Sequence, residues 1–159
     1  MNYKLAQINI ARMLAPLDSV VMTDFVNNLD RINELAEKSE GFIWRFIEDN
    51  NETAVKVFKD NFIVVNMSVW QSINALFDFT YSSEHKDIFK RRKEWFSAMQ
   101  EMHMACWYVP DGEYPTPQEA KVRLEYLNKY AESPYAFTLK SNFTPMEAKE
   151  YKLETRKQK

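Results

Sequence analysis

Glycine is scarce in this sequence of 159 residues, which contains only Gly41 and Gly112. Loops that cradle phosphate groups need several glycines close together, because the backbone must approach the anion with unusual dihedral angles. The sequence therefore excludes the Walker-type phosphate loop and the dinucleotide-binding fingerprint. A single cysteine, Cys106, likewise excludes an intrachain disulfide bond and a metal site built on paired cysteines.

Charge excess and long apolar runs are also missing. The 21 basic and 23 acidic residues leave a net charge of -2, so no basic field favours a nucleic-acid partner. No run of about 18 uninterrupted apolar residues occurs, and we expect no membrane span. The N-terminal segment lacks an apolar signal region, which predicts a cytoplasmic protein. The hydrophobic fraction of 45% suffices for one domain. We place it at residues 1–144, with residues 145–159 as a charged tail.

Alternating and β-branched segments predict strands, whereas apolar residues at helical spacing predict helices. The predicted strands are residues 5–12, 41–48, 54–58, 62–70, 102–110 and 136–140. One helix is predicted between Pro16 and Gly41, and another to begin at Thr116. Residues 73–96 form either one kinked helix or two abutting helices, because Ser82 and Ser83 can cap a second segment.

This order of elements predicts a ferredoxin-like α+β sandwich, a four-stranded antiparallel sheet with two helices on one face. Residues 62–70 carry large apolar side chains on both sides of the strand. We therefore expect the second sheet face to be uncovered and to pair with another copy, which makes a homodimeric barrel.

His85, one of two histidines, lies on the apolar face of the predicted helix 83–96. Residues three and four apart share a helix face. The stripe that begins at His85 contains Ile88, Phe89, Arg92, Trp95 and Phe96. His85 is therefore predicted to face inward as a candidate catalytic residue. The alternative is a core or capping histidine with a satisfied hydrogen bond. Arg92 could equally pair with an acid and brace the helix.

Polar residues interrupt two predicted strands in pairs, at Gln7 and Asn9 and at Asn66 and Ser68. Residues two apart in a strand share a face. If both pairs face the helices, Asn9 and Asn66 would join His85 and Arg92 around a polar-floored pocket. Phe, Trp and Met side chains, Trp95 among them, would form its walls, which is the composition of a small-molecule site. The alternative is that the polar groups lie at a dimer seam.

The sequence predicts no bound metal. His103 and Cys106 are three apart in a strand and point to opposite faces, which argues against joint ligation. No HExxH motif or carboxylate cluster with ligand spacing is present. Cys106, among apolar neighbours, is predicted to belong to the core.

Several blocks of the chain, LAQINIAR, GFIWRF, VNMSVW, YSSEH with RRKEWF, WYVPDG and PTPQEAKVRLEYL, resemble the bacterial domain-of-unknown-function family 3291. That family is similar to the dimeric α/β-barrel superfamily, which includes antibiotic-biosynthesis monooxygenases, haem-degrading monooxygenases and stress-responsive proteins. The resemblance implies a site between sheet and helices. It also implies that His85, on the matching helix, could act as a base or ligate haem. The family's usual Gly-His-x-Pro turn is replaced here by Gly112-Glu113-Tyr114-Pro115.

Three functional hypotheses follow. The first is a cofactor-independent monooxygenase- or isomerase-like enzyme for a hydrophobic or aromatic molecule. In it His85 is the acid or base, and Asn9, Asn66 and Arg92 orient the substrate or stabilise an oxyanion. The second is a haem protein with His85 as axial ligand. The third is a non-catalytic, stress-related binding protein.

Overall fold

The computed structural model describes residues 2–47 and 52–153. Its strands are β1 (Tyr3–Met13), β2 (Phe42–Arg45), β3 (Ile63–Trp70), β4 (Phe96–Ser97) and β5 (Met104–Pro110). Its helices are α1 (Thr23–Lys38), α2 (Glu52–Phe58), α3 (Ile73–Thr80), α4 (Ser83–Lys90), α5 (Arg92–Trp95), α6 (Pro117–Tyr130) and α7 (Pro145–Glu150). Residue 48, the end of a predicted strand, and residues 154–159 of the predicted tail lie outside the described residues.

The strands form one antiparallel sheet in which β1 is central. It pairs with β3 on one side and with β5 and the short β4 on the other, while β2 pairs with β3 at the edge. The resulting order β2-β3-β1-β5, with a helical crossover before β2 and another after β3, is the ferredoxin-like arrangement. The predicted α+β fold class is confirmed. Among the described residues, no helix is long and apolar enough to cross a membrane.

The first sheet face packs against α1, α3 and α4 through two separate apolar clusters. The Trp70 cluster has the buried residues Leu5, Trp70, Leu76, Cys106 and Phe137, with Ala36 and Phe79 packed against it. The Trp95 cluster has the buried residues Met13, Met22 and Trp95, with Phe25, Val64 and Ile88 packed against it. Each cluster therefore ties the sheet to the same helical layer at a different place.

The second sheet face is covered by α2 and α6, which corrects the expectation of an uncovered face. Ala6, Ile8 and Trp107 on this face are 0% exposed. They belong to the Trp107 cluster, which also contains Ala54 of α2 and Leu124 of α6. Helices therefore lie on both faces of the sheet, and the stated reason for a barrel-forming dimer does not hold.

Residues 54–58 form a helix where a strand was predicted. Ala54 and Val57 are buried and Phe58 is half-buried, at the spacing i, i+3 and i+4 that places side chains on one helix face. The β-branched composition of the segment favoured a strand, but packing onto the second sheet face decides the conformation.

The C-terminal part also differs from the prediction. Residues 136–140 form no strand; Phe137 makes an isolated bridge with Cys106, with backbone hydrogen bonds of 2.6 and 2.9 Å. Residues 145–150, predicted as solvated tail, form α7, and the Tyr151 hydroxyl lies 2.6 Å from that of Tyr126. The domain boundary at residue 144 stays a prediction.

Candidate functional site

Two asparagines form an exposed polar floor in the middle of the first sheet face. Asn9 of β1 is directly opposite Asn66 of β3 in the register of the sheet. Both strands have neighbours on either side, yet both asparagines are exposed. Leu5 and Met13, on the same face of β1, are buried in the Trp70 and Trp95 clusters. Between the Trp70 and Trp95 clusters, the helix-covered face of the sheet is thus open at the two asparagines.

A hydrogen-bonded ladder links this floor to the buried interior. Nε2 of Gln7, a residue only 4% exposed, donates to Asn66 Oδ1 at 2.7 Å and to Ser68 Oγ at 2.7 Å. The indole Nε1 of Trp70 donates to the same Ser68 Oγ at 2.8 Å. The polar groups predicted to share a face therefore do so, and the ladder holds the Asn66 side chain from below.

Helix α1 forms one wall of the opening. Phe25 packs into the Trp95 cluster and Ala36 packs against the Trp70 cluster, so the helix spans both. Leu29 and Ile32 lie between them at helical spacing and are half-buried, but belong to neither cluster. Both therefore lie on the face of α1 that is turned toward the sheet, together with Phe25 and Ala36. We call the space between the floor, α1 and α4 the cleft.

Helix α4 forms the other wall. The ring of His85 lies 5.1 Å from that of Phe79, which stacks on Trp70 at 5.2 Å. One turn further along α4, Ile88 packs against the Trp95 cluster. Helix α4 therefore connects the same two clusters as α1, and His85 faces inward as predicted.

The histidine ring is fixed by one backbone group. Nδ1 of His85 lies 2.9 Å from the carbonyl oxygen of Thr80, and because a carbonyl can only accept, Nδ1 carries the proton. Burial lowers the pKa of His85 below its usual value, although the Thr80 carbonyl acts in the opposite direction. The ring is consequently neutral near pH 7. Its Nε2 has no hydrogen-bond partner in the described part of the chain and is left as an acceptor.

A break at Arg91 alters the predicted helical stripe. Helix α4 ends at Lys90 and α5 begins at Arg92, so the stripe does not continue in phase. Trp95 is 1% exposed within its cluster, whereas Arg92 is exposed and lies over the ring of Phe89 at 4.2 Å.

Of the predicted site residues, the structure brings Asn9 together with Asn66, and it places Arg92 outside the apolar interior. Their functional roles stay predictions.

Sequence reasoning missed Arg91, which ties the two helical walls together. Its guanidinium donates to Asp24 of α1 at 2.7 Å and to both carboxylate oxygens of Glu94 at 2.8 and 3.0 Å. It also lies over the Trp95 ring at 4.8 Å. Arg91 lies within the run KRRK (residues 90–93), whose pattern alone does not distinguish it, and only the helix break sets it apart from its neighbours.

The remaining candidate groups do not form a second reactive centre. Within residues 2–47 and 52–153, no three His, Cys, Asp or Glu side chains are grouped to hold a metal ion. Cys106 is fully buried, and burial raises the pKa of its thiol far above the usual range. A cavity of about 420 Å³ lies elsewhere, lined by Met102 and residues 127–132.

Comparison with known proteins gives a family and distant structural similarity. No curated protein matches the sequence. The cofactor-independent oxygenase SnoaB from Streptomyces nogalater is 9% identical, with 70% of this chain and 95% of that one covered and a TM-score of 0.46. The protein PA3566 from Pseudomonas aeruginosa is 11% identical, with 69% and 94% covered and a TM-score of 0.47. The family described as domain of unknown function (DUF3291) matches residues 4–153. Because this match covers nearly the whole chain, the protein belongs to the DUF3291 family.

Proposed function

We propose that this protein binds a small hydrophobic, aromatic molecule in the cleft between the sheet and helices α1 and α4. The observation that carries the proposal is that Asn9 and Asn66, directly opposite each other on the helix-covered sheet face, are exposed between two apolar clusters. Leu29 and Ile32 supply apolar contact above a floor that can hydrogen-bond to the polar edge of a ligand. Small-molecule sites combine apolar walls with a few placed polar groups in this way.

The first candidate activity is proton abstraction by His85, without a cofactor. A neutral imidazole with its Nδ1 proton held by Thr80 offers Nε2 as a base. Removal of an acidic proton from carbon or oxygen next to a ring is the first step of both candidate reactions, monooxygenation and isomerisation. The amides of Asn9 and Asn66 are the candidates to orient the ring system during that step.

Haem binding is a second candidate, and the Nδ1–H···O=C bond of His85 favours it. Ligating histidines commonly donate their other ring nitrogen to a carbonyl or carboxylate, which fixes the tautomer. The neutral ring and its apolar neighbour Phe79 fit an axial ligand, and a bound haem would supply iron for oxygen chemistry. A haemin titration tests this directly. A saturable Soret shift at one haem per chain that disappears in His85→Ala would favour haem over the cofactor-free candidate.

A third candidate is a non-catalytic binding protein, possible because the Thr80 contact also has a structural use. The imidazole closes the C-terminal end of α3 by donating to one of its last carbonyl groups, as basic side chains often do. Such a protein would bind the ligand without turning it over. An experiment that measures binding and turnover in the same sample therefore separates it from an enzyme.

The experiment uses 2-tetralone, a bicyclic ketone with acidic ring protons, in D2O. Ligand-detected NMR measures binding, and loss of the signals of the protons next to the carbonyl measures deuterium exchange in the same sample. We expect saturable binding that weakens about tenfold or more in Asn66→Leu, because the floor loses its polar group. Asn74→Leu, an exposed substitution on α3, is the matched control and should bind like the wild type.

The exchange rate then tests catalysis. We expect His85→Gln to keep binding and to lose catalysed exchange by a factor of about 100 or more, the usual contribution of a general base. Equal binding by Asn66→Leu and Asn74→Leu would contradict the proposed cleft. Binding without exchange in the wild type would leave the non-catalytic candidate.

A further inference from the structure

We propose that Gln7 orients the carboxamide of Asn66 so that its NH2 group faces the cleft, and that the cleft therefore takes ligands whose polar edge is a carbonyl or an oxyanion. The inference rests on the proposed function, since it specifies the chemistry of the ligand in that same cleft. Gln7 is a positioning residue in this proposal, because it acts on the ligand only through Asn66.

At the buried end of the ladder, the hydrogen bond between Trp70 and Ser68 has a fixed direction. The indole N–H of Trp70 can only donate, so the oxygen of Ser68 accepts from it. Gln7 Nε2 has two protons and lies at 2.7 Å from two oxygens, Ser68 Oγ and Asn66 Oδ1. Both protons of the Gln7 amide are thereby used, and both oxygens receive one.

The orientation of Asn66 follows from this bond. A carboxamide carries its oxygen and its nitrogen on opposite sides of one carbon. Because Oδ1 of Asn66 is turned toward Gln7, a residue 4% exposed, Nδ2 is turned away from the ladder. Asn66 is exposed and no described group accepts from its Nδ2, so the two amide protons face the opening of the cleft.

A donor at the floor selects between ligands of the same shape. An acceptor on the ligand would gain a hydrogen bond, whereas an aromatic N–H group, which can only donate, would face another donor at the same place and lose its bond to water. Discrimination by hydrogen bonding is stronger than discrimination by shape, since a mismatch leaves polar groups unpaired. The preferred ligand class is thus an aromatic ketone, quinone or phenolate.

Three bicyclic probes of nearly equal size test the polarity of the floor. These are 1-indanone with an acceptor, indole with a donor, and indane with neither; ligand-detected NMR on the full chain gives each Kd. We expect 1-indanone to bind about fivefold or more tightly than indane, and indole to bind no better than indane. Tighter binding of indole than of 1-indanone overturns the inference, and so do equal affinities for all three. Absence of binding for all three overturns the proposed function as well, which separates the two failures.

Asn66→Asp is the matched variant. One carboxylate oxygen can still accept from Gln7, while the other replaces the amide donor with an acceptor at the same position. We expect an unchanged Tm and a reversed preference, with indole about fivefold tighter than 1-indanone. In the opposite amide orientation, with Ser68 donating to Gln7 Oε1, the new carboxylate would face that oxygen, so a lower Tm overturns the inference. Asn142→Asp, an exposed loop substitution, controls for the added charge and should behave like the wild type in both measurements.

Discussion

At the scale of single residues, His85 combines a structural contact with a free ring nitrogen. The contact to Thr80 supports a structural role as a capping histidine, since it secures the turn between α3 and α4. The same contact fixes the tautomer that leaves Nε2 unprotonated. The structural and the functional interpretations of this residue are therefore compatible. The contribution of His85 to folding is measured by the stability of a His85 variant, and its contribution to catalysis by the turnover of that variant.

The lowered pKa of His85 predicts a pH-dependent stability. Since the folded pKa lies below the usual value of 6.5, the unfolded chain binds a proton more readily than the folded one as the pH falls. The stability is then fully present above about pH 6.5 and decreases as the pH falls through the folded pKa. We expect the Tm of the wild type to fall more between about pH 7 and pH 5 than the Tm of His85→Gln.

His103→Gln serves as the control for that experiment because His103 is exposed. It should keep the wild-type dependence of Tm on pH. Identical pH profiles for wild type and His85→Gln would show that protonation of His85 is not coupled to folding.

At the scale of elements, Gly41 sets the contact between the end of α1 and α3. Its φ of +87° lies in the left-handed region, and an added Cβ would lie 2.5 Å from Cβ of Ala75. Gly112 has nearly the same φ, +86°, but faces open space. The two glycines therefore separate backbone strain from steric overlap within one protein.

We expect Gly41→Ala to lower the free energy of unfolding by about 2–4 kcal/mol, because strain and overpacking add. Gly112→Ala should cost only about 1–2 kcal/mol, from strain alone. Urea unfolding of both variants measures the difference. Equal losses would mean that α3 shifts freely to make room for the methyl group.

Some of the secondary-structure elements were predictable from the sequence and others were not. Four of the five strands were predictable, as were α1, α6 and the shared face of each polar pair, because period-2 and period-3.6 patterns directly reflect one-sided burial. Residues 54–58 were not, since a short apolar run fits either period until its packing partner is known. The break at Arg91 was not predictable either, and it moved Arg92 from the expected stripe to solvent.

The candidate site was predictable in its residue types but not in its openness. That Asn9 and Asn66 share the helix-covered face follows from strand alternation and the correct pairing of β1 with β3. Their exposure depends on the separation of the Trp70 and Trp95 clusters, which is a property of how α1 and α4 lie across the sheet. No local pattern of residues encodes that separation.

At the scale of the whole molecule, both sheet faces are packed by helices of the same chain. A homodimer stays a proposal, but it has to use a surface other than the second sheet face, where Ile8 and Trp107 are fully buried. The folded chain should consequently not depend on a partner for its core.

We expect a monomer, wherever dilution produces one, to keep its tertiary structure. Sedimentation velocity from about 100 to about 1 µM gives the oligomeric state, and near-UV circular dichroism of the same samples reports side-chain packing. The spectrum should be unchanged across any dissociation. Loss of the near-UV signal together with dissociation would mean that the core is completed by a second chain.

The division of the interior into three clusters gives the molecule built-in optical reporters. Trp70, Trp95 and Trp107 are each at most 1% exposed, and each belongs to a different cluster. Since indole emission shifts to longer wavelength when water reaches the ring, chains that retain one of these tryptophans would report on one region at a time. Trp70 and Trp95 would report on the clusters at the two ends of the cleft, and Trp107 would report on the opposite side of the sheet.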